Sequence, residues 1–411
     1  MEERMNIEKR EKIIVSLTSY PERIQDVDKV IKTLMIQTLK PDEIIIWLSK
    51  EQFPGENGDL PKKLVELCQF GLQIRWVSGD LKSHKKYYYA MQEFEEEIII
   101  TVDDDNYYNP ELIECLYHSY ISHPHAVSCT RTNLICKDEA GSLLPYKDWK
   151  KNYTLFADVE MMDLLAVGCG GVLYPPGCFA SDTLCDEESI EKYCLFQDDL
   201  WLKINEIIAG IPTVLIKEHI RTPISDIRGS QAVALYENIN LDGNDAALNK
   251  LSSYFLARTG DSLCEAIFSK QPTVFGWMQE KKETIDSILE KTDKHGIYIY
   301  GAGQGARSTY ECLKICGQEK RVMGFAVTRM GGNPLTLYER PVVGIDTVKD
   351  LECMMLVSTD DKLQEEIVKL LTDRGFENIL AVDNRMIGVY NSSQKAIHNV
   401  KDDFMVYCKR F

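Results

Sequence analysis

Positive charge is in short supply in this chain: 47 Lys and Arg stand against 64 Asp and Glu, a formal charge of -17 over 411 residues. Such a surface repels a phosphate backbone unless basic residues are segregated into a patch, and none is segregated here, so nucleic acid is not an expected partner. Also missing is any run of about 18 apolar residues, the length that a helical membrane span requires. The first residues, Met1 to Lys12, are charged and lack the apolar centre of an export signal. The 13 cysteines include no C-x-x-C pair and the 7 histidines do not cluster beside them, which excludes zinc-ribbon and thioredoxin-like chemistry. Scattered thiols fit a reducing compartment, so a cytoplasmic location is expected. The terminal Cys408-Lys409-Arg410-Phe411 carries charge where a prenylation box needs aliphatic residues.

What is present is an ordinary globular composition, 44% hydrophobic and 27% charged, in a chain long enough for two or three domains. Short β-branched runs recur at Ile13-Leu17, Ile44-Leu48, Gln73-Val77, Ile98-Val102, Ala126-Cys129 and Pro212-Ile216. Near-continuous apolar runs alternating with helical patterns indicate strands covered on both faces, hence an α/β domain. Ile24, Val27, Ile31 and Leu34 mark the first helix, and Asn109-Pro110-Glu111 carries the signature of a helix start. From about Ile220 to Asp293 the pattern is helical with a turn signal at Gly243-Asn244, which reads as a connector. A strand at Gly296-Tyr300, a glycine turn, a helix from Arg307 to Cys316, the runs Val322-Val327 and Met354-Ser358 with a Gly- and Pro-rich loop between them, and a helix Asp361-Arg374 then describe a smaller doubly wound domain. The expected domains are therefore 1–220, a connector 221–293, a Rossmann-like domain 294–390 and a tail 391–411.

The strongest chemical signal is Thr101-Val102-Asp103-Asp104-Asp105-Asn106, a buried strand running straight into three carboxylates. Ligands of open α/β sheets bind at the carboxyl ends of strands, and crowded carboxylates there suit a hard divalent cation shared with a phosphate. A solvated acidic loop is the plainer alternative for an isolated D-x-D. A second pair, Asp198-Asp199, opens an amphipathic segment, where acids can equally serve as helix caps. Between the pairs, Gly168-Cys169-Gly170-Gly171 permits close backbone approach to a ligand or a tight turn. Ser83-His84-Lys85-Lys86-Tyr87 adds clustered positive charge, and His219 follows a strand as a candidate metal ligand.

These words, in order, carry a resemblance. Val15-Ser16-Leu17-Thr18-Ser19-Tyr20-Pro21-Glu22-Arg23, Gln37-Thr38-Leu39-Lys40-Pro41-Asp42, Ile46-Trp47-Leu48-Ser49, Lys82-Ser83-His84-Lys85-Lys86, Thr101-Val102-Asp103-Asp104-Asp105, Gly170-Gly171-Val172-Leu173-Tyr174-Pro175-Pro176 and Asp198-Asp199-Leu200-Trp201 resemble GT-A-fold glycosyltransferases of family-2 type from bacterial surface-polysaccharide synthesis. The resemblance implies a nucleotide-sugar donor, UDP-linked by expectation, held by Thr18, Ser19, Tyr20, Arg23, Lys85, Asp103, Asp104, Gly170 and Gly171. It implies Mn²⁺ or Mg²⁺ on Asp103 and Asp105, with His219 as a further candidate ligand. It also implies inversion in one displacement, with the late acidic pair supplying the base; Asp199 matches the family's second acid, and Asp198 remains the alternative. The acceptor is expected to be a surface or capsular glycan, free or lipid-linked, which is compatible with peripheral membrane association and with homo-oligomers.

The second domain resembles the nucleotide-sugar-binding domain of bacterial sugar acyltransferases. Its Gly301, Gly303 and Gly305 follow a strand and open a helix, as a phosphate-binding turn requires. The next strand ends in Ala326-Val327-Thr328 rather than in the acid that holds an NAD ribose, so hydride transfer is not expected. Two rival functions remain: an aspartyl phosphohydrolase, whose motif wants a Thr after its second acid where this chain has Asn106, and a sugar-nucleotide-sensing scaffold without turnover.

Overall fold

The computed structural model describes residues 11–138, 140–154, 156–219, 222, 225–227, 241–269, 272–274, 276, 295–315, 319–359 and 361–382. The expected tail 391–411 lies outside the described residues, as do residues 277–294. The chain divides into two compact units after Val274. Both are mixed α/β.

The first unit is built on an eight-stranded sheet in the order Leu72–Val77, Glu43–Ser49, Ile13–Thr18, Ile98–Thr101, Val172–Tyr174, Val127–Cys129, Thr213–Leu215, Glu160–Met161. Ile13, Ile14, Val15 and Leu17 are all fully buried, the result expected when helices cover both faces of a parallel sheet. The Val27–Met35 helix presents Val27, Val30, Ile31 and Leu34 to that core at the spacing the sequence predicts.

Topology explains where the loops meet. Ile13–Thr18 runs parallel to Glu43–Ser49 and Ile98–Thr101, with Ser16 opposite Thr101. The segments that follow these strands, Ser19 to Arg23 and Asp103 to Asp105, therefore emerge at one edge. Val172–Tyr174 is antiparallel to Ile98–Thr101, pairing Val172 with Thr101, so it is the residues before it, Gly168 to Gly171, that reach the same edge. Val172 also pairs antiparallel with Cys129, which brings Thr130 and Arg131 alongside.

Two local expectations are corrected. Gly243-Asn244 is no turn but part of the Leu241–Thr259 helix. The supposed loop between the second domain's strands contains Arg340–Gly344, paired parallel with Val322–Val327.

The second unit has a six-stranded sheet, Thr336–Leu337, Arg340–Gly344, Val322–Val327, Ile297–Tyr300, Met354–Val357, Asn378–Ala381, with only the first strand antiparallel. Ile297, Ile299 and Phe325 pack with Ala306 and Tyr310 of the Gln304–Ile315 helix. Tyr300, Ala326 and Met355 pack with Leu371 of the Asp361–Asp373 helix. Alternate residues of each strand thus face different helices, the period-2 consequence of a doubly wound sheet.

Candidate active site

At the end of the Ile98–Thr101 strand the three acids take different partners. Asp104 accepts a hydrogen bond from Ser19 Oγ, and Arg23 Nη1 lies 2.9 Å from Asp104 Oδ1 and 2.9 Å from Asp105 Oδ2. Burial raises the Asp104 carboxyl above its usual value, against the pull of Arg23. For Arg23, burial alone favours the neutral form, but Asp104 and Asp105 together raise its guanidinium above its ordinary value. Asp105 also accepts from Asn106 Nδ2 at 2.8 Å. Asp103 turns the other way, to Lys86, whose Nζ stands 2.7 Å from Asp103 Oδ1.

The same ammonium stands 2.7 Å from Asp198 Oδ2. Lys86 is 3% exposed, so its charge is held in the interior by carboxylates far apart in the sequence. Burial opposes that charge, and Asp103, Asp198 and Asp199 together overcome it, holding the ammonium well above its ordinary value. Asp198 also accepts from Ser83 Oγ at 2.8 Å. Its burial favours the neutral acid, but Lys86 and its other partners win and hold the carboxyl below the usual range.

Asp199, the next residue of the Asp198–Ala209 helix, behaves in the opposite way. Its oxygens accept the Gly168 backbone N–H at 3.2 and 3.3 Å, and burial followed by the repulsion of Asp198 pushes its carboxyl up to about 8. Two adjacent acids thus differ in environment: Asp198 is held charged by Lys86, whereas the Asp199 carboxyl is raised toward neutrality.

The glycine turn is shaped for this contact. A Cβ on Gly168 would stand 2.8 Å from Asp199 Oδ1 and 3.1 Å from Lys86 Nζ. Gly171 has φ +94°, and a Cβ on Gly170 would collide with Thr130 Oγ1 at 2.3 Å. Tyr108 ties the turn to the acids, accepting the Asp103 N–H at 2.8 Å and donating to the Cys169 carbonyl at 3.1 Å.

Among the other residues expected at the site, Thr18 donates to the Trp47 carbonyl at 2.8 Å. Tyr20 carries the Arg23 guanidinium over its ring at 5.5 Å. Lys85 is not at the acids: its buried Nζ pairs with Asp80 and donates to Gln52 Oε1 at 3.3 Å. His219 is half-buried with Nδ1 3.0 Å from the Ile216 carbonyl. A carbonyl only accepts, so Nδ1 carries the proton and the lone pair lies on Nε2, the tautomer a metal ligand uses. In the second unit, Gly301 has φ +120° and a Cβ there would stand 3.3 Å from the Ser358 carbonyl, whereas nothing lies within 4 Å of one on Gly303. Gly305 lies in the first turn of the Gln304–Ile315 helix. Sequence reasoning named Lys86 and Gly168 only within longer motifs, and did not single out Tyr108 or Arg131.

Among the described residues no three His, Cys, Asp or Glu form a metal cage. A magnesium-type ion usually takes one or two carboxylates and completes its shell with phosphate oxygens and water; here Asp103 is turned to Lys86 and Asp105 to Arg23. No described helix is long and apolar enough to cross a membrane.

No family model and no curated protein matches the chain. Among solved structures the chain is similar to Staphylococcus aureus TarS residues 1–349 in complex with UDP, at 16% identity and TM-score 0.31 over 68% of this chain and 80% of that one. It is similar to UTP-bound UGPase from Acinetobacter baumannii, at 10% identity and TM-score 0.31 over 61% and 94%. A third likeness, at 14% identity and TM-score 0.23, is to glucosyl-3-phosphoglycerate synthase from Mycobacterium tuberculosis in complex with Mn²⁺, UDP and phosphoglyceric acid. That match covers 29% of this chain and only 42% of the other.

Proposed function

We propose that the first unit is a metal-assisted, inverting glycosyltransferase that moves a sugar from a nucleoside diphosphate, UDP by preference, to an acceptor hydroxyl of a surface glycan. The observation that carries this reading is Lys86, whose ammonium, 2.7 Å from Asp103 and 2.7 Å from Asp198, joins an acidic strand end to a second acidic pair in one site. A strand-end acidic group suits a diphosphate and its cation; a separate carboxyl titrating near neutrality suits proton removal.

Arg23 and Ser19 fix Asp104 and Asp105. Asp103 and Asp105 would hold Mn²⁺ or Mg²⁺, with His219 as a further candidate ligand. When bound with the diphosphate, that ion neutralises negative charge on the leaving group. Lys86 adds fixed positive charge to the same region without the reorganisation that water would need. Asp199 is the base because Asp198 is engaged by Lys86 and Ser83. The acceptor oxygen attacks the anomeric carbon, the carbon–oxygen bond to the diphosphate breaks with its electron pair leaving on the diphosphate, and the hydroxyl proton passes to Asp199. In the second unit the open space above Gly303 supports a phosphate contact at the Gly301–Gly305 turn.

Calorimetry with UDP tests the donor site. Binding should require Mn²⁺ or Mg²⁺ and collapse in Asp103→Asn and Asp105→Asn. Undiminished binding by both variants in EDTA would remove the metal role.

A further inference from the structure

The cations around the acidic site are consistently paired with carboxylates: Arg23 with Asp104 and Asp105, Lys85 with Asp80, Lys86 with Asp103 and Asp198. Arg131 is the exception. Among the described residues it makes no ion pair; Nη1 donates to Cys169 Sγ at 3.2 Å and Nη2 to Asn152 Oδ1 at 2.6 Å, both neutral acceptors. The Asn152 contact is exposed, so one side of the guanidinium faces solvent. Its stem covers the glycine turn, since a Cβ on Gly170 would lie 3.0 Å from Arg131 Cγ. That turn holds Asp199 through Gly168.

The partner segment is rigidly built. Lys150 and Leu134 exchange backbone hydrogen bonds at 2.9 and 3.2 Å, Tyr153 N–H donates to the Thr132 carbonyl at 2.8 Å, and Asn152 N–H donates to Asn133 Oδ1 at 3.0 Å. It carries a second cation without a carboxylate contact among the described residues. Lys151 Nζ donates to the Tyr146 carbonyl at 2.7 Å and lies 3.2 Å from the centre of the Tyr146 ring. Arg131 and Lys151, the neighbour of Asn152 in the chain, thus both keep neutral partners. A guanidinium with a solvent-facing side is suited to a planar or tetrahedral oxyanion.

We propose that Arg131, supported by Lys151, is an anion-recognition subsite for the acceptor, so that the hydroxyl to be glycosylated belongs to a molecule carrying an oxyanion group. This rests on the reading of Asp199 as the acceptor base. Arg131 and Asp199 contact the same four-residue turn, Arg131 at Cys169 and Asp199 at Gly168, so an acceptor held by the one presents its hydroxyl to the other.

The test uses the full chain with UDP and Mn²⁺ and three probes sharing one skeleton: glucose, glucose 6-phosphate and glucuronate. Calorimetry should show one or both charged probes binding at least about tenfold more tightly than glucose, the scale of a charge-assisted contact. Arg131→Gln should remove that preference, Arg131→Lys and Lys151→Gln should reduce it, and all three should leave UDP affinity unchanged. If Arg131→Gln is unfolded by circular dichroism, the other two variants carry the same test. Equal binding of all three probes, or a preference that survives every substitution, overturns the proposal. A parallel loss of UDP affinity also overturns it, because Arg131 then serves the donor. Absence of UDP binding by the unsubstituted protein, with the charge preference intact, sinks the donor reading alone and supports the anion subsite.

Discussion

The backbone N–H of Gly168 is directed at both carboxylate oxygens of Asp199, at 3.2 and 3.3 Å, and a methyl group on Gly168 would stand 2.8 Å from one of them. The carboxylate therefore sits where only glycine leaves room. Gly168→Ala should displace Asp199 while leaving Arg23, Asp104 and Asp105 in place. Sugar transfer should fall by about 10²-fold, the usual contribution of a general base, with UDP affinity preserved. Turnover assays beside calorimetry check this, and an alanine variant of normal activity would mean that the contact has no part in the chemistry.

Lys86 and Lys85 are neighbours with separate duties. Removing Lys86 leaves Asp198 without its counter-charge in the interior, a loss of about 3–5 kcal/mol for a broken buried pair, and takes the partner of the more exposed Asp103 as well. Lys85→Met is milder, because Asp80 keeps Lys82. Urea unfolding should rank Lys86→Met well below Lys85→Met. Mn²⁺ should stabilise Lys86→Met more than the unsubstituted protein, by supplying positive charge at the orphaned acids. Equal stabilities of the two variants would contradict the bridging role.

Much of this was legible in the sequence. The central strands announced themselves because burial on both faces demands unbroken β-branched runs, as in Ile98 to Thr101. The acids of the site were legible for the same reason, being attached directly to that strand and to the Asp198–Ala209 helix. Val172–Tyr174 was obscured by brevity, three residues between a glycine pair and two prolines. Arg340–Gly344 was hidden by its own Pro341 and terminal glycine. The choice between Lys85 and Lys86 depends on the phase of the Lys85–Glu93 helix against the sheet, which adjacent identical residues do not reveal. Tyr108 and Arg131 act through Cys169, 61 and 38 residues away, and spacing carries no signal for such contacts.

His84 gives the protein a defined acid sensitivity. It is fully buried, with Nε2 2.9 Å from the Cys194 carbonyl and Nδ1 2.7 Å from Tyr87 Oη, so the neutral ring donates through Nε2 and accepts at Nδ1. Burial lowers its pKa from 6.5 to about 4. As pH falls, the unfolded chain takes the proton first. The stability is therefore complete above about 6.5 and is lost as pH drops toward 4, by about 3 kcal/mol at most. His84→Gln can keep both hydrogen bonds without titrating. Its urea midpoint should fall less than that of the unsubstituted protein between pH 7 and pH 5; an equal fall would show that other groups govern acid unfolding.

Within the second unit, Gly301 and Gly303 should respond differently to the same change. Gly301→Ala places a side chain at φ +120° and 3.3 Å from the Ser358 carbonyl, while Gly303→Ala enters open space. Strain of this kind costs about 1–3 kcal/mol. Thermal unfolding of the full chain should show Gly301→Ala destabilised and Gly303→Ala near normal. The reverse order would refute the packing role of Gly301.

The central claim is that one site joins donor-binding acids to a separate proton acceptor, and Asp199→Asn tests it most directly. In a screen of UDP-sugars with Mn²⁺ and a glycan acceptor, followed by comparison on the donor that turns over, this variant should bind UDP as tightly as the unsubstituted protein. Its sugar transfer should be slower by about 10²-fold or more. Transfer at a near-normal rate by Asp199→Asn, with Asp198→Asn inactive, would contradict the account and assign the base to Asp198.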